Sequence, residues 1–159
     1  METDKYSIRR HIQMEIRLMD ISDYDGAYSL WCSCAGMGLN NLDDSREGFA
    51  RFLRRNPETC FIAAADDRII GTILAGNDGR RGFIYHTAVH PEYRRQGIGT
   101  ALVNAAIDAM QTLGIYKVTL VVFARNVEGN AFWEAQGFTA REDLTYRNRT
   151  LTEMTVTIT

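Results

Sequence analysis

The stretch HPEYRRQGIGTALV, His90 to Val103, sets two arginines and a glutamine directly ahead of Gly97-Ile98-Gly99 and then passes into a helical pattern. Upstream, FIYHTAV reads as a strand ending at Val89. Downstream, Ile98, Leu102, Ala106 and Met110 mark one face of a long helix that Gly114 stops. A strand that feeds a helix through a glycine loop leaves the first helical N–H groups without internal partners and aims them back at the strand end. The helix dipole adds partial positive charge there, and glycine lets a ligand approach the backbone. Such a loop is an anion site matched to phosphate or pyrophosphate, and Arg94 and Arg95 add guanidinium groups that pair with phosphate oxygens. Two nucleotide loops are excluded: no lysine follows Gly99 as a Walker loop requires, and Leu102 stands where a dinucleotide fingerprint needs its third glycine.

The chain around this loop has 159 residues, 45% hydrophobic and 24% charged, which predicts one soluble domain with a proper core. A net charge of −2 supplies no global positive field, so neither nucleic acid nor a membrane is expected as a partner. Cys32, Cys34 and Cys60 are odd in number, and the C-x-C is too tight for a usual zinc pair. They read as free thiols of a cytoplasmic protein. His86 and His90 are four residues apart on a strand, a spacing that suits a metal only on a helix, so no metal is expected. Residues 1–13 read as an N-terminal extension, with Met14 a possible natural start, and 14–159 as a single domain.

Hydrophobic spacing divides that domain into alternating elements. MEIRLMDI is a short edge strand; Ser22 and Asp25 mark a helix start, and SCAGMGLNNLDD is a flexible loop. Asp44 with Glu47 forms a capping box for a second helix. CFIAAAD and RIIGTILAG, joined by Asp66-Asp67, form a hairpin. KVTLVVFA shows almost no polar alternation and reads as a central strand covered on both faces. VEGNAFWEAQ is a short helix, and TLTEMTVTIT is a final strand paired near FTAREDLTY. The order β-α-α-β-β-β-α-β-α-β-β makes this a mixed α/β (α+β) domain.

HTAVHPEYRRQGIGTALV resembles the signature segment of the GNAT superfamily of N-acetyltransferases, with pattern [RQ]-x-x-G-x-[GA] met by Arg94, Gly97 and Gly99. NVEGNAFWEAQGF, farther along, is similar to the family's second segment, an asparagine before a short helix that ends in Gly-Phe. The resemblance spans residues 14 to 145 and is strongest over 84–138. It implies a twisted mixed sheet flanked by helices, with two strands splayed to form an acetyl-CoA cleft. It further implies that the pyrophosphate lies on the loop from Arg94 through Arg95, Gln96, Gly97, Ile98 and Gly99 to Thr100. The pantetheine arm would bond to the backbone of Thr87, Ala88 and Val89 in the manner of an added strand. Asn126, Phe132 and Trp133 would border that arm.

The activity so implied is transfer of acetyl from acetyl-CoA to a primary amine of a small molecule or peptide, by direct attack within a ternary complex. The alternative is a non-catalytic acyl-CoA-binding or sensing module. An amine with a pKa of about 10.4 must lose a proton before it attacks, and an oxyanion donor lowers the barrier by roughly 3 kcal/mol. The Val89 N–H is the candidate donor. Strand alternation puts Tyr85, Thr87 and Val89 on one face and His86 with Ala88 on the other, which makes Tyr85 the candidate proton shuttle. Many family members carry a tyrosine where this chain has Trp133, whose indole does not release a proton at neutral pH. The loop AGMGLNNLDD would wall the acceptor site, with Asp43 and Asp44 able to attract a cation. A homodimer is expected, since the terminal strand would otherwise expose an edge.

Overall fold

In the computed structural model, which describes residues 13–159, β1 (Met14–Leu18) leads through a 3-10 turn (Ile21–Asp23) into α1 (Tyr24–Ser33). Then follow β2 (Gly38–Asn40), α2 (Arg46–Arg55), β3 (Phe61–Ala65), β4 (Arg68–Asn77) and β5 (Gly82–Val89). A second 3-10 turn (Pro91–Tyr93) precedes α3 (Ile98–Thr112), and the chain closes with β6 (Val118–Leu120), α4 (Val127–Ala135) and β7 (Val156–Ile158). The extension expected over residues 1–13 lies, apart from Gln13, outside the described residues. Among those described, no helix is long and apolar enough to cross a membrane.

Five strands form one sheet in the order β1-β3-β4-β5-β6, antiparallel except for the parallel β5–β6 pair. The β3–β4 hairpin closes through Asp66 and Asp67, both at positive φ (49° and 58°), the backbone that a tight two-residue hairpin turn requires. Alternation along β3 sends Ile62 to one side of the sheet and Ala63 and Ala65 to the other. On the Ile62 side, α1 and α2 bury Leu30, Trp31, Phe49 and Leu53. On the Ala63 side, α3 buries Ile98, Leu102, Ala106 and Met110, and Phe132 and Trp133 of α4 pack against them. Each large side chain so covered contributes about 1.5–3 kcal/mol.

Several local expectations give way to tertiary contacts. Helix entry is capped earlier than Ser22: the Asp20 side chain accepts from Ser22 N, and Asp23 Oδ2 accepts from Asp20 N. The Asp44–Glu47 capping box does not form, because Ser45 caps α2 by accepting from Gly48 N at 3.0 Å. The stretch expected as a flexible loop contains β2, which pairs antiparallel with β7. The final strand therefore crosses to residues 38–40 and not to FTAREDLTY, which forms no strand. The segment after Lys117 is an edge strand of three residues where a central strand was expected, its apolar Val121 and Phe123 lying beyond the ladder and exposed.

The turn into α2 depends on one small residue. A Cβ at Gly48 would collide with the carbonyl oxygens of Leu42 and Asp43, backbone atoms that cannot rotate away. Gly48→Ala is therefore expected to lower stability by about 1–3 kcal/mol, seen as a reduced thermal midpoint in calorimetry. An unchanged midpoint would contradict that packing.

Burial also decides thiol reactivity: Cys32 is exposed, Cys34 and Cys60 are buried, and burial pushes the Cys60 thiol from 9.0 up to about 12. A neutral group whose ionisation is suppressed only in the folded state stabilises less as pH rises above its unfolded value. Alkylation at pH 8 should modify Cys32 first and spare Cys60 until denaturant is added. Cys60→Ala should flatten the decline in stability between pH 9 and 12, as read from denaturant midpoints.

Candidate active site

The β5–β6 ladder holds only three pairs, Gly82↔Val118, Phe83↔Thr119 and Ile84↔Leu120, and then opens. From Tyr85 onward, the β5 edge facing β6 has no strand beside it among the described residues. The His90 N–H donates to Ile70 O at 2.8 Å, which sets the phase of the β4–β5 ladder. Ala88 accordingly turns its backbone groups toward Thr72 of β4, while Thr87 and Val89 turn theirs toward the opening. Val89 O accepts there from Arg94 Nε at 3.0 Å.

The loop that follows is bent by residues at positive φ, Arg95 at 61° and Gly97 at 81°. Gly97 caps α3 in this left-handed conformation, and none of the described residues lies within 4 Å of where its Cβ would be. The first backbone bond of α3 is Ala101 N to Gly97 O at 3.0 Å. Among the described residues, the N–H groups of Arg95, Gln96, Gly97, Ile98, Gly99 and Thr100 find no protein acceptor. They sit where the chain passes from the end of β5 into the first turn of α3, with their hydrogen-bonding capacity unmet.

The second segment is built against this loop. Phe132 lies so close to Gly99 that a Cβ there would sit 3.1 Å from its ring, and Gln136 Nε2 donates to Thr100 Oγ1 at 3.0 Å. Asn126 caps α4 by accepting from Gly129 N at 2.9 Å. Trp133 stands edge-on to Phe132 and Phe138 and packs with them on the α3 side of the core. The opening, the loop and the start of α3 are thus one unit.

A second cleft, of about 470 Å³, lies on the α1–α2 side of β5 and includes Tyr85, His86, Asp43, Asp44, Arg51 and Arg55 in its lining. Simple alternation separates Tyr85 from His86, but β5 carries an extra residue here. Ile73 pairs with Thr87 and Ala75 with Ile84, so Leu74 faces both Tyr85 and His86. The bulge corrects the expected parity and brings both side chains to the same cleft. Tyr85 stands edge-on to Phe52 at 5.6 Å, and burial holds its phenol above the ordinary 10.0, with Tyr146 and Asp43 adding to the effect.

His86 rests 4.7 Å from the Trp31 ring, and its Nε2 lies 2.6 Å from Asp44 Oδ1. Asp44, whose side chain is only 7% exposed, also accepts from Asn40 N through Oδ2 at 2.7 Å. The pair joins residues 42 positions apart, and no spacing in the sequence announces it. Arg51 and Arg55 were likewise overlooked; their four-residue spacing on a helix, which puts them on one face, is the signal that finds them. Among the described residues, no cluster of histidine, cysteine or carboxylate side chains is placed to hold a metal ion.

The model of the Acetyltransferase (GNAT) family matches residues 24–138. This chain belongs to that family. An acetyltransferase of Sodalis glossinidius is 32% identical over 113 residues, covering 71% of this chain and 78% of its own. One from Photorhabdus laumondii is 34% identical over 109 residues, covering 69% and 75%. The PaiA N-acetyltransferase of Thermoplasma acidophilum, solved with coenzyme A, has the same fold with a TM-score of 0.71, 22% identity, and coverage of 82% of this chain and 92% of its own. An aminoglycoside acetyltransferase from an uncultured soil metagenomic sample, solved with sisomicin, has a TM-score of 0.69 at 19% identity, covering 87% and 97%. This GNAT chain is an acetyltransferase with a mixed α/β sheet, as its signature segments imply.

Trp31 forms the wall on which His86 rests, and it is held in turn by Thr72. Its ring is fully buried, and Nε1 donates to Thr72 Oγ1 at 2.9 Å. Thr72→Val keeps the shape but leaves a buried indole N–H unpaired, and should cost about 1–3 kcal/mol in a denaturant titration. A neutral result would show that the indole finds another acceptor.

Proposed function

We propose that this acetyltransferase moves the acetyl group of acetyl-CoA to a primary amine of a small molecule or peptide, by direct attack within a ternary complex. The observation that supports this reading best is the set of unpartnered N–H groups from Arg95 to Thr100, placed beside the opened edge of β5. An alkyl phosphate or a nucleotide alone would use the loop and leave the opening empty. A diphosphate joined to a peptide-like arm uses both, because the arm can bond to Thr87 and Val89 as an added strand does. Ala88 is left out of that contact, since its backbone groups serve β4.

Each residue then has a physical role. The loop N–H groups take the diphosphate charge, with Arg95 and the free Nη groups of Arg94 near it; Arg94 Nε is already committed to Val89 O. Gln96 and Ile98 contribute through the backbone. Phe132 braces the loop from α4, Asn126 caps that helix and borders the arm, and Trp133 holds the helix to the core. The Val89 N–H points into the opening and is the donor for charge developing on the thioester oxygen. Tyr85, whose phenol keeps its proton, is suited to relay protons through water at the neighbouring cleft. A thiol pKa of about 8.5 makes the departing sulfur a tolerable leaving group without a dedicated acid. The free cysteines fit a cytoplasmic setting, and the open far edge of β6, with the exposed Val121 just beyond that strand, offers a surface for a homodimer.

Gly97→Glu puts a carboxylate on the cradle and a side chain on left-handed backbone. Calorimetric titration of the folded variant with acetyl-CoA should show at least a tenfold weaker Kd than the parent. Equal affinity would remove the loop from the reading, and tight binding without amine-dependent CoA release would favour the non-catalytic module.

A further inference from the structure

The acetyl-transfer reading leaves the charges of the second cleft unused. Asp44 occupies Nε2 of His86, and Nδ1 of that ring has no partner among the described residues. No buried side-chain nitrogen or oxygen among them lacks a partner, so Nδ1 is reached by solvent from the cleft. A neutral imidazole that donates Nε2–H to a carboxylate carries its lone pair on Nδ1, and the carboxylate stabilises the imidazolium formed when that lone pair takes a proton. Asp44 is fixed for this purpose by Asn40 N, while Tyr24 Oη donates to its carbonyl at 2.7 Å.

Across the cleft, α2 presents Arg51 and Arg55. The exposed Asp43 Oδ1 stands 3.9 Å from Arg51 Nη2, too loose to hold the guanidinium, and the Asp44 carboxylate is turned to His86. Two guanidinium groups therefore face one carboxylate, Asp43, whose Oδ2 already accepts from Asn40 Nδ2 at 3.1 Å. An acceptor bearing several ammonium groups meets repulsion here, whereas one bearing a carboxylate beside its amine meets forked donors matched to that group.

We propose that this cleft takes acceptors that carry an anionic group beside the primary amine, gripped by Arg51 and Arg55, with His86 receiving the ammonium proton. The inference rests on the acetyltransferase reading above. The ammonium proton passes to His86 Nδ1 and on to solvent, and the freed lone pair forms the C–N bond to the thioester carbonyl carbon. The C–S bond breaks with its electron pair on sulfur, and the second nitrogen proton neutralises the thiolate. Asp44 acts as a positioning residue that orients the ring. The charged and titratable groups facing His86 are Asp44 and Asp43 ahead of α2, Arg51 and Arg55 on α2, and Tyr85 on β5; α1 and β2 contribute the uncharged Trp31 and Asn40.

The test measures CoA release with alanine and glutamate, their carboxamides, and spermidine, alongside calorimetry with acetyl-CoA. The two amino acids should show kcat/KM at least tenfold above their carboxamides and spermidine. Arg51→Ala with Arg55→Ala should erase that preference through KM while acetyl-CoA affinity holds. His86→Gln, with thermal unfolding checked, should lower kcat at least tenfold and remove the acidic limb of its pH profile. Asp44→Asn should lower kcat while acetyl-CoA affinity holds. Carboxamides or spermidine used as well as the amino acids, or no turnover of either amino acid, would overturn the anionic preference; an unchanged acidic limb in His86→Gln would overturn the proton role. If acetyl-CoA gives no heat, the acetyltransferase reading itself fails; if it binds normally and the preference is missing, only this inference does.

Discussion

Everything in this molecule turns on a pair of parallel strands that stay together for three residues and then part. Backbone N–H and C=O groups are obligatory hydrogen-bonding groups, and an edge left open beside apolar walls has to be satisfied by water or by a ligand. Here the parting of β5 and β6 leaves Thr87 and Val89 facing outward at the spot where the start of α3 leaves its own N–H groups unpaired. Two sets of hydrogen-bonding groups are thereby brought side by side, and the proposed function uses one for an amide-bearing arm and the other for a diphosphate.

The rest of the core can be seen as the support for that juxtaposition. The α3 helix is pressed to the sheet by Ile98, Leu102 and Ala106, and α4 clamps its first turn through Phe132 on Gly99 and Gln136 on Thr100. On the opposite face, α1 and α2 close over Ile62 and Leu74 and leave the charged cleft beside Tyr85 and His86. The bulge at Leu74 links the two faces, because one extra residue in β5 both bends the strand and re-aims its side chains. The donor opening and the second cleft thus meet on a single strand.

How far each feature could be read from the chain follows from the range of the forces involved. The glycine loop, the α3 stripe and the Asp66–Asp67 turn are local: each depends on neighbours within a few positions, and each stands as read. The capping of the first two helices was misplaced by only one or two residues, since Asp20, Ser22, Asp44 and Ser45 are all competent caps and the choice is made by what else each must bond. Asp44 is drawn off by His86 and Asn40, which leaves the cap to Ser45.

By itself, then, the amino-acid order determined an alternating α/β chain with a glycine loop between a strand and a long helix, because hydrophobic period and glycine placement act over one or two turns. Only the tertiary structure decided that β7 returns to residues 38–40, that β6 sits at an edge, and that His86 meets Asp44. Those outcomes depend on contacts across tens of residues and on a bulge that inverts side-chain parity, and no local pattern carries information about where a ladder will slip by one.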